Sequence, residues 1–266
     1  MNLKYTISGY IYILPGDDCE ATVDAMLETN YDGDFCIAEN FDPEFATRLM
    51  EAGFLVMSIG LIRNNEPDMK ENEPSMNYVM LPKLHLVRSA LFFENLHIKK
   101  SIRRLLGRYE LKADADFDHI IDKCVEKHGA DWLTPALVDC VKKIRQNAIL
   151  DHFPSHPPNA SFLAPNAGFA YPASFALYRG GKLAAGEFGI VCGNVYTSYS
   201  GFYDEDNAGT VQLILTARYL EKNGFSFFDM GMPLDYKTDL GAVDISPREF
   251  VKLFRGEEKA VPVSSS

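Results

Sequence analysis

Residues 173–229 read ASFALYRGGKLAAGEFGIVCGNVYTSYSGFYDEDNAGTVQLILTARYLEKNGFSFFD, and this stretch decides the fold. Residues 173–178 form an apolar run, Gly180-Gly181 is a hairpin turn, and 183–192 and 194–200 are two longer strands. Residues 209–223 carry Leu213, Ala217 and Leu220 at helical spacing, and 225–229 is a short strand. Strand, hairpin, two long strands, helix and strand in that order predict an α+β architecture with a mixed, mostly antiparallel sheet.

Working outward, residues 246–254 open with S-P-R-E, a capping box with proline at the first helical position. On the other side, 116–127 and 135–147 read as helices, the second opened by Thr134 and Pro135, with the lone tryptophan, Trp132, between them. Residues 109–113 read as a strand. Residues 97–106 predict one amphipathic helix: Ile98, Ile102, Leu105 and Leu106 fall on one face, and Lys99, Lys100, Arg103, Arg104 and Arg108 on the other. Nearer the N-terminus, 5–14 reads as a strand ending at Pro15-Gly16. Asp42, Pro43, Phe45, Leu49 and Met50 mark a helix stopped by Gly53. The polar segment 63–77, with two prolines, is a loop or boundary, so the chain is expected to divide into a small α/β domain over 1–80 and a larger domain over 81–266. Five prolines within 151–172 mark an irregular excursion.

The composition, 47% hydrophobic and 24% charged over 266 residues, is that of a soluble globular protein. No run approaches the ~20 apolar residues of a membrane helix. The five cysteines, at 19, 36, 124, 140 and 192, are odd in number, widely spaced and lack a C-x-x-C, which argues against a disulfide framework or a zinc site and favours a reducing cytoplasm. His152 and His156 are split by Pro154, so no metal site is expected there. Charge is unevenly placed: residues 1–80 carry −11, residues 81–112 carry +6 and the remainder −6. The mean charge disfavours sequence-blind nucleic-acid binding, while the basic island allows one local polyanion contact.

The element order suits an acyltransferase of the N-acetyltransferase type. In such enzymes coenzyme A is cradled between a long strand and the next helix. Here that junction, 203–209, holds Asp204-Glu205-Asp206, which repels a pyrophosphate.

The segment from about Leu84 to Phe254 resembles the leucyl/phenylalanyl-tRNA–protein transferase family. The resemblance is carried in order by His97-Ile98-x-x-Ser101-Ile102-Arg103-Arg104, Phe117-x-x-Ile120-Ile121-x-x-Cys124, Trp132-Leu133-Thr134-Pro135 and Phe188-Gly189. It continues through Ser200-x-Phe202, Asn207-Ala208, Gly224-Phe225-x-x-Phe228-Asp229, Leu240-Gly241-Ala242 and Pro247-Arg248-Glu249-Phe250. It implies a C-terminal acetyltransferase-like domain. It also implies transfer of Leu, Phe or Met from an aminoacyl-tRNA to the N-terminal amine of a protein, a step that marks N-degrons. No metal or diffusible cofactor is implied, because the tRNA ester supplies the activation.

Physical reasoning runs alongside. The island at Lys99, Lys100, Arg103, Arg104 and Arg108 suits acceptor-stem phosphates, and Trp132 occupies the family's place for stacking the terminal adenosine, with a core tryptophan as the alternative. Asp229 would orient or deprotonate the acceptor amine; the alternative is a turn residue at a strand end. Met57, Phe188, Tyr199, Ser200, Phe202 and Asn207 are expected to line the substrate pocket. The acceptor side departs from the family. Its Asp-Cys-Gln is Asp229-Met230-Gly231, and its Gly-Glu-Ser is Ser198-Tyr199-Ser200. Its Trp-Trp-Ser-Pro gives way to residues 77–82, a second tryptophan is Met57, and a glutamate before the hairpin is Ala176. Two further readings stay open: a transferase of the same scaffold with another amine acceptor or acyl donor, and a non-catalytic tRNA-binding relative.

Overall fold

The structure, a computed structural model, describes residues 3–62, 76–152, 163, 165 and 168–258. The segments expected as loops over 63–77 and 151–172 lie mostly outside the described residues.

The N-terminal part holds two capped helices. α1 (Cys19–Glu28) is opened by Asp18, which accepts the Ala21 N–H, and α2 (Pro43–Glu51) by Asp42, which accepts the Phe45 N–H at 3.0 Å. The expected strand over 5–14 is instead folded on itself: Gly9 takes φ +84°, Tyr5 bridges Ile11 antiparallel, and Tyr12 bridges Ile37 in parallel. A two-stranded antiparallel ribbon follows, β1 (Leu55–Ile62) against β2 (Met76–Lys83), with Leu55 opposite Lys83. The expected boundary at 80/81 therefore falls inside β2.

β3 (Arg88–Leu91) leads into the basic segment. The single helix expected over 97–106 is broken into the one-turn α3 (Lys100–Arg103) and a 3-10 turn at Leu106–Arg108. Lys99 at the N-cap offers no side-chain acceptor, and Lys99 and Lys100 place positive charge at the positive end of the helix dipole. Next come β4 (Glu110–Ala113), α4 (Phe117–His128) and α5 (Pro135–His152), whose Leu137 N–H reaches the Thr134 hydroxyl. The deciding stretch then folds as read: β5 (Tyr171–Arg179), β6 (Lys182–Cys192), β7 (Val195–Tyr203), α6 (Ala208–Lys222) and β8 (Phe227–Asp229). α7 (Asp235–Asp239), β9 (Val243–Ile245) and α8 (Pro247–Phe254), capped by the Ser246 hydroxyl, complete the described chain.

The main sheet has seven strands in the order β4-β5-β6-β7-β8-β3-β9. Every neighbouring pair in it is antiparallel except β7 and β8, which are joined by the α6 crossover. The expectation of a mixed, mostly antiparallel α+β sheet is met. β7 bulges at Tyr199, opposite Phe188/Gly189, and there a Cβ on Gly189 would stand 2.2 Å from the Thr197 carbonyl oxygen.

Strand alternation gives the sheet two buried faces. One carries Ala176, Phe188, Ile190, Val195 and Phe227 and is covered by α4, α5, α8 and the N-terminal helices, through residues such as Phe45, Leu49, Ile120, Leu137 and Phe250. The other carries Phe175, Leu177, Tyr196 and Phe228 and is covered by Val211, Ile214, Ala217 and Leu220 of α6 and by Ile102 of the basic turn. The N-terminal helices thus share one core with the main sheet.

Candidate active site

β7 and β8 pair only from Val195 opposite Phe227 to Thr197 opposite Asp229. Beyond that point β7 continues to Tyr203 along β6. The chain after β8 instead follows β3: the Met230 N–H donates to the Ser89 carbonyl, and the Ser89 N–H to that of Gly231. The two parallel strands therefore part, and a buried carboxyl lies on each face of the sheet beside the parting.

On the α4 side lies Asp229, fully buried. Arg88 of β3, itself 1% exposed, grips it side-on, Nε to Oδ1 at 2.8 Å and Nη2 to Oδ2 at 2.6 Å. The Thr197 hydroxyl donates to Oδ2 at 2.7 Å and the Gly231 N–H to Oδ1 at 3.0 Å, the latter aimed by a φ of +73° at Gly231. The guanidinium carbon lies 4.1 Å from the Phe250 ring centroid. Burial alone would raise the Asp229 carboxyl; the Arg88 charge and the three donor groups override it and hold the pKa below the ordinary carboxylate value. From the sequence Asp229 is expected to orient or deprotonate the acceptor amine; here its two oxygens accept four hydrogen bonds, from Arg88, Thr197 and the Gly231 N–H, and removing its charge would strand a buried guanidinium.

On the α6 side lies Glu187, 1% exposed. Its partners are neutral: the Ser198 hydroxyl donates to Oε2 at 2.8 Å and the Gln212 amide to Oε1 at 2.7 Å. Burial pushes its carboxyl up to about 7 against these hydrogen bonds. Lys237 of α7, 7% exposed, sits at the end of β8 and donates to the Met230 and Met232 carbonyl oxygens. Burial brings its amine down to about 8, although Asp229 acts to raise it.

The remaining expected residues separate by face. Tyr199 is half-buried, and its hydroxyl accepts the Val56 N–H at 3.0 Å. Phe188 and Phe202 are core residues packed by α4, with Phe117 edge-on to Phe188, so they do not line an open pocket. Met57 and Ser200 are half-buried, and Asn207 is exposed at the start of α6 with φ +66°. Trp132 is half-buried on the α4 side, with its carbonyl held by the Ser58 N–H and hydroxyl. Lys100, Arg103 and Arg104 are exposed on the α6 side, where with Ile98 they line a basin of about 420 Å³. Lys99 pairs with Asp239 at 2.5 Å, and Arg108 is exposed. Trp132 and the basic turn therefore lie on opposite faces of the sheet. The basic turn instead shares a side with Glu187, and α7 links it to Lys237.

Arg88, Glu187 and Lys237 were not singled out by sequence. Glu187 had a signal, a lone acid inside the apolar strand 183–192, and so did Arg88 inside LVRSALFF. Lys237 had none. Among the described residues no cluster of three or more His, Cys, Asp or Glu is placed to hold a metal, and no helix is long and apolar enough to cross a membrane.

Residues 164–255 match the sequence profile of the family described as leucyl/phenylalanyl-tRNA protein transferase. The leucyl/phenylalanyl-tRNA–protein transferase of Pseudomonas putida (strain W619) is 29% identical over 168 residues, covering 61% of this chain and 65% of that protein, somewhat under two thirds of the relative's length. The protein of the same name from Maridesulfovibrio salexigens is 23% identical over 193 residues, covering 70% of each. Among solved structures, FemX overlaps 92% of this chain and 81% of its own at 8% identity, with a TM-score of 0.42.

Proposed function

We propose that this chain is a divergent member of the leucyl/phenylalanyl-tRNA–protein transferase family and acts as an aminoacyl-tRNA-dependent aminoacyltransferase. It moves a large apolar amino acid of the Leu, Phe or Met type to the N-terminal amine of an acceptor protein, in the cytoplasm, as an N-degron step. The observation that carries this reading is one of position. The family profile over 164–255 spans the segment that builds the parted strands, both buried carboxyls and Lys237. An acetyltransferase-like division, with a small unit over 1–80 and the catalytic unit over 81–266, is part of the same reading, with β2 joining the two.

The exposed cations Lys100, Arg103, Arg104 and Arg108, with Lys99, meet the acceptor-stem phosphates. Trp132 offers a stacking face, and the half-buried Met57 and Tyr199 meet the donor side chain with Phe188 and Phe202 packed beneath. Ser200 and Asn207 border the opening. Asp229 acts as a positioning residue, fixing β3 against β8. The three acids before α6 disfavour coenzyme A as donor; Glu205 among them is already paired with Arg179 at 2.9 Å. A specific observation also favours the second reading, an altered amine acceptor or acyl donor: the parting is flanked by Glu187 and Lys237, which are polar.

Incubation with a panel of charged tRNAs and peptide acceptors tests the proposal. Transfer of Leu, Phe or Met to a peptide amine is expected; equal transfer of Asp, Lys and Leu removes the apolar donor, and tRNA binding without transfer leaves a binding relative. Arg103→Glu with Arg104→Glu is expected to weaken tRNA binding and to flatten the log–log salt slope by about 2. Filter binding at two salt concentrations reads both.

A further inference from the structure

Lys237 Nζ donates to the carbonyl oxygens of Met230 at 2.5 Å and Met232 at 2.7 Å, both in the segment that leaves β8. No carboxylate lies within ion-pair distance of it among the described residues. The charged groups that act on it through space are Asp229 from β8, Arg88 from β3 and Glu187 from β6, and on its own helix the Tyr236 ring centroid is 5.7 Å away. A tetrahedral nitrogen has four directions. One is the bond to Cε, and two hold hydrogens on the Met230 and Met232 carbonyls. The fourth is a third N–H in the ammonium and a lone pair in the neutral amine, so losing that proton breaks neither hydrogen bond. The residue keeps 7% of its surface exposed, and the carbonyls it holds belong to the segment that follows Asp229, the last residue of β8 paired with β7. α7 is also tied to the basic turn, through Lys99–Asp239 and the His97 N–H donating to the Leu240 carbonyl. A polyanion held on that turn lies beside the element that carries Lys237.

We propose that Lys237 is a catalytic residue, the proton acceptor for the attacking amine in the transfer. The proposal rests on the aminoacyl-tRNA reading above. The acceptor's neutral amine attacks the ester carbonyl carbon and forms the C–N bond, and the nitrogen passes one proton to the neutral Nζ. The carbon–oxygen bond to the ribose then breaks, and the departing oxygen takes that proton back from the Lys237 ammonium. A new amide and a free ribose hydroxyl result, with no net change at Lys237. Asp229 cannot serve in this way while Arg88 grips both of its oxygens. Burial brings the Lys237 amine down to about 8, so the neutral base becomes the major form only above about pH 8.

The test compares the parent protein, Lys237→Met and Lys237→Arg in single-turnover transfer with saturating charged tRNA, from about pH 6 to pH 9.5. Met keeps the apolar stem; Arg keeps the charge and the donors but does not deprotonate. Titration of the acceptor amine is common to all three, so the ratio of parent to variant rate isolates Lys237. The ratio is expected to rise with pH through about 8 and to level at roughly 10²–10³. A flat ratio, in either variant that melts cooperatively, overturns the proposal and leaves Lys237 as a pin for the segment after β8. A parent that transfers from no charged tRNA at any pH overturns both this assignment and the function it rests on, whereas transfer with a flat ratio overturns this one alone.

Discussion

The two faces of the central sheet bury the same kind of group in opposite ways. On the α4 face Asp229 is locked to Arg88 by two charge-assisted hydrogen bonds and closed off by Thr197 and Gly231. On the α6 face Glu187 has neutral partners, the Ser198 and Thr216 hydroxyls and the Gln212 amide. A carboxylate matched to a guanidinium stays charged and holds strands together. One matched to neutral groups is left at the edge of protonation. The pair shows why strength of burial alone does not mark a reactive group: the more tightly bound carboxylate is the one committed to structure.

The largest expected effect is on the locked side. Asp229→Asn leaves Arg88 buried without its counter-charge and is expected to cost about 3–5 kcal/mol of stability, read as a fall in the urea midpoint. Arg88→Met alone belongs in the same range, and the double replacement Arg88→Met with Asp229→Leu is expected to be milder than either single change. If Asp229→Asn unfolds like the parent, the ion pair is not what closes β3 against β8.

The next effect is on the other face and depends on pH. The folded-state pKa of Glu187 is raised above its unfolded value, so its contribution is fully present below the ordinary carboxylate pKa and lost as pH rises through about 7. Glu187→Gln removes that loss. It is expected to stabilise the protein above pH 7 by up to about 3 kcal/mol, and not to stabilise it below about pH 4. Urea titrations at the two pH values measure it; a gain that is the same at both would make Glu187 an ordinary satisfied carboxylate. The smallest effect is expected from Ser198→Ala, which removes one donor at a cost of about 1 kcal/mol and moves the Glu187 titration further upward.

Much of this architecture was legible in the chain. The Gly180-Gly181 turn, the apolar strands on either side of it and the Leu213, Ala217 and Leu220 stripe fix local conformation through short-range sterics and period, and they fold as read. Capping signals at Asp42 and Ser246 were equally local and held. The basic segment breaks where its hydrophobic period predicts one continuous helix, because that period speaks only to which face is buried and not to the charge at a helix start. The site itself was less legible. The Asp229–Arg88 pair joins residues 141 positions apart, and no local pattern encodes which strand inserts between β8 and β9. Lys237 is marked only by burial, which the sequence around it does not announce.

The insertion of β3 between β8 and β9 also bears on how the chain is made. Arg88 leaves the ribosome 141 residues ahead of Asp229, a delay of roughly 7 to 28 s at ordinary elongation rates. Through that interval both edges of β3 lack the partners that flank it in the finished sheet, and a guanidinium destined for the interior remains hydrated. The β8-β3-β9 end of the sheet therefore closes after its β4–β7 half has been synthesised, and the last third of the chain completes a structure begun by the first.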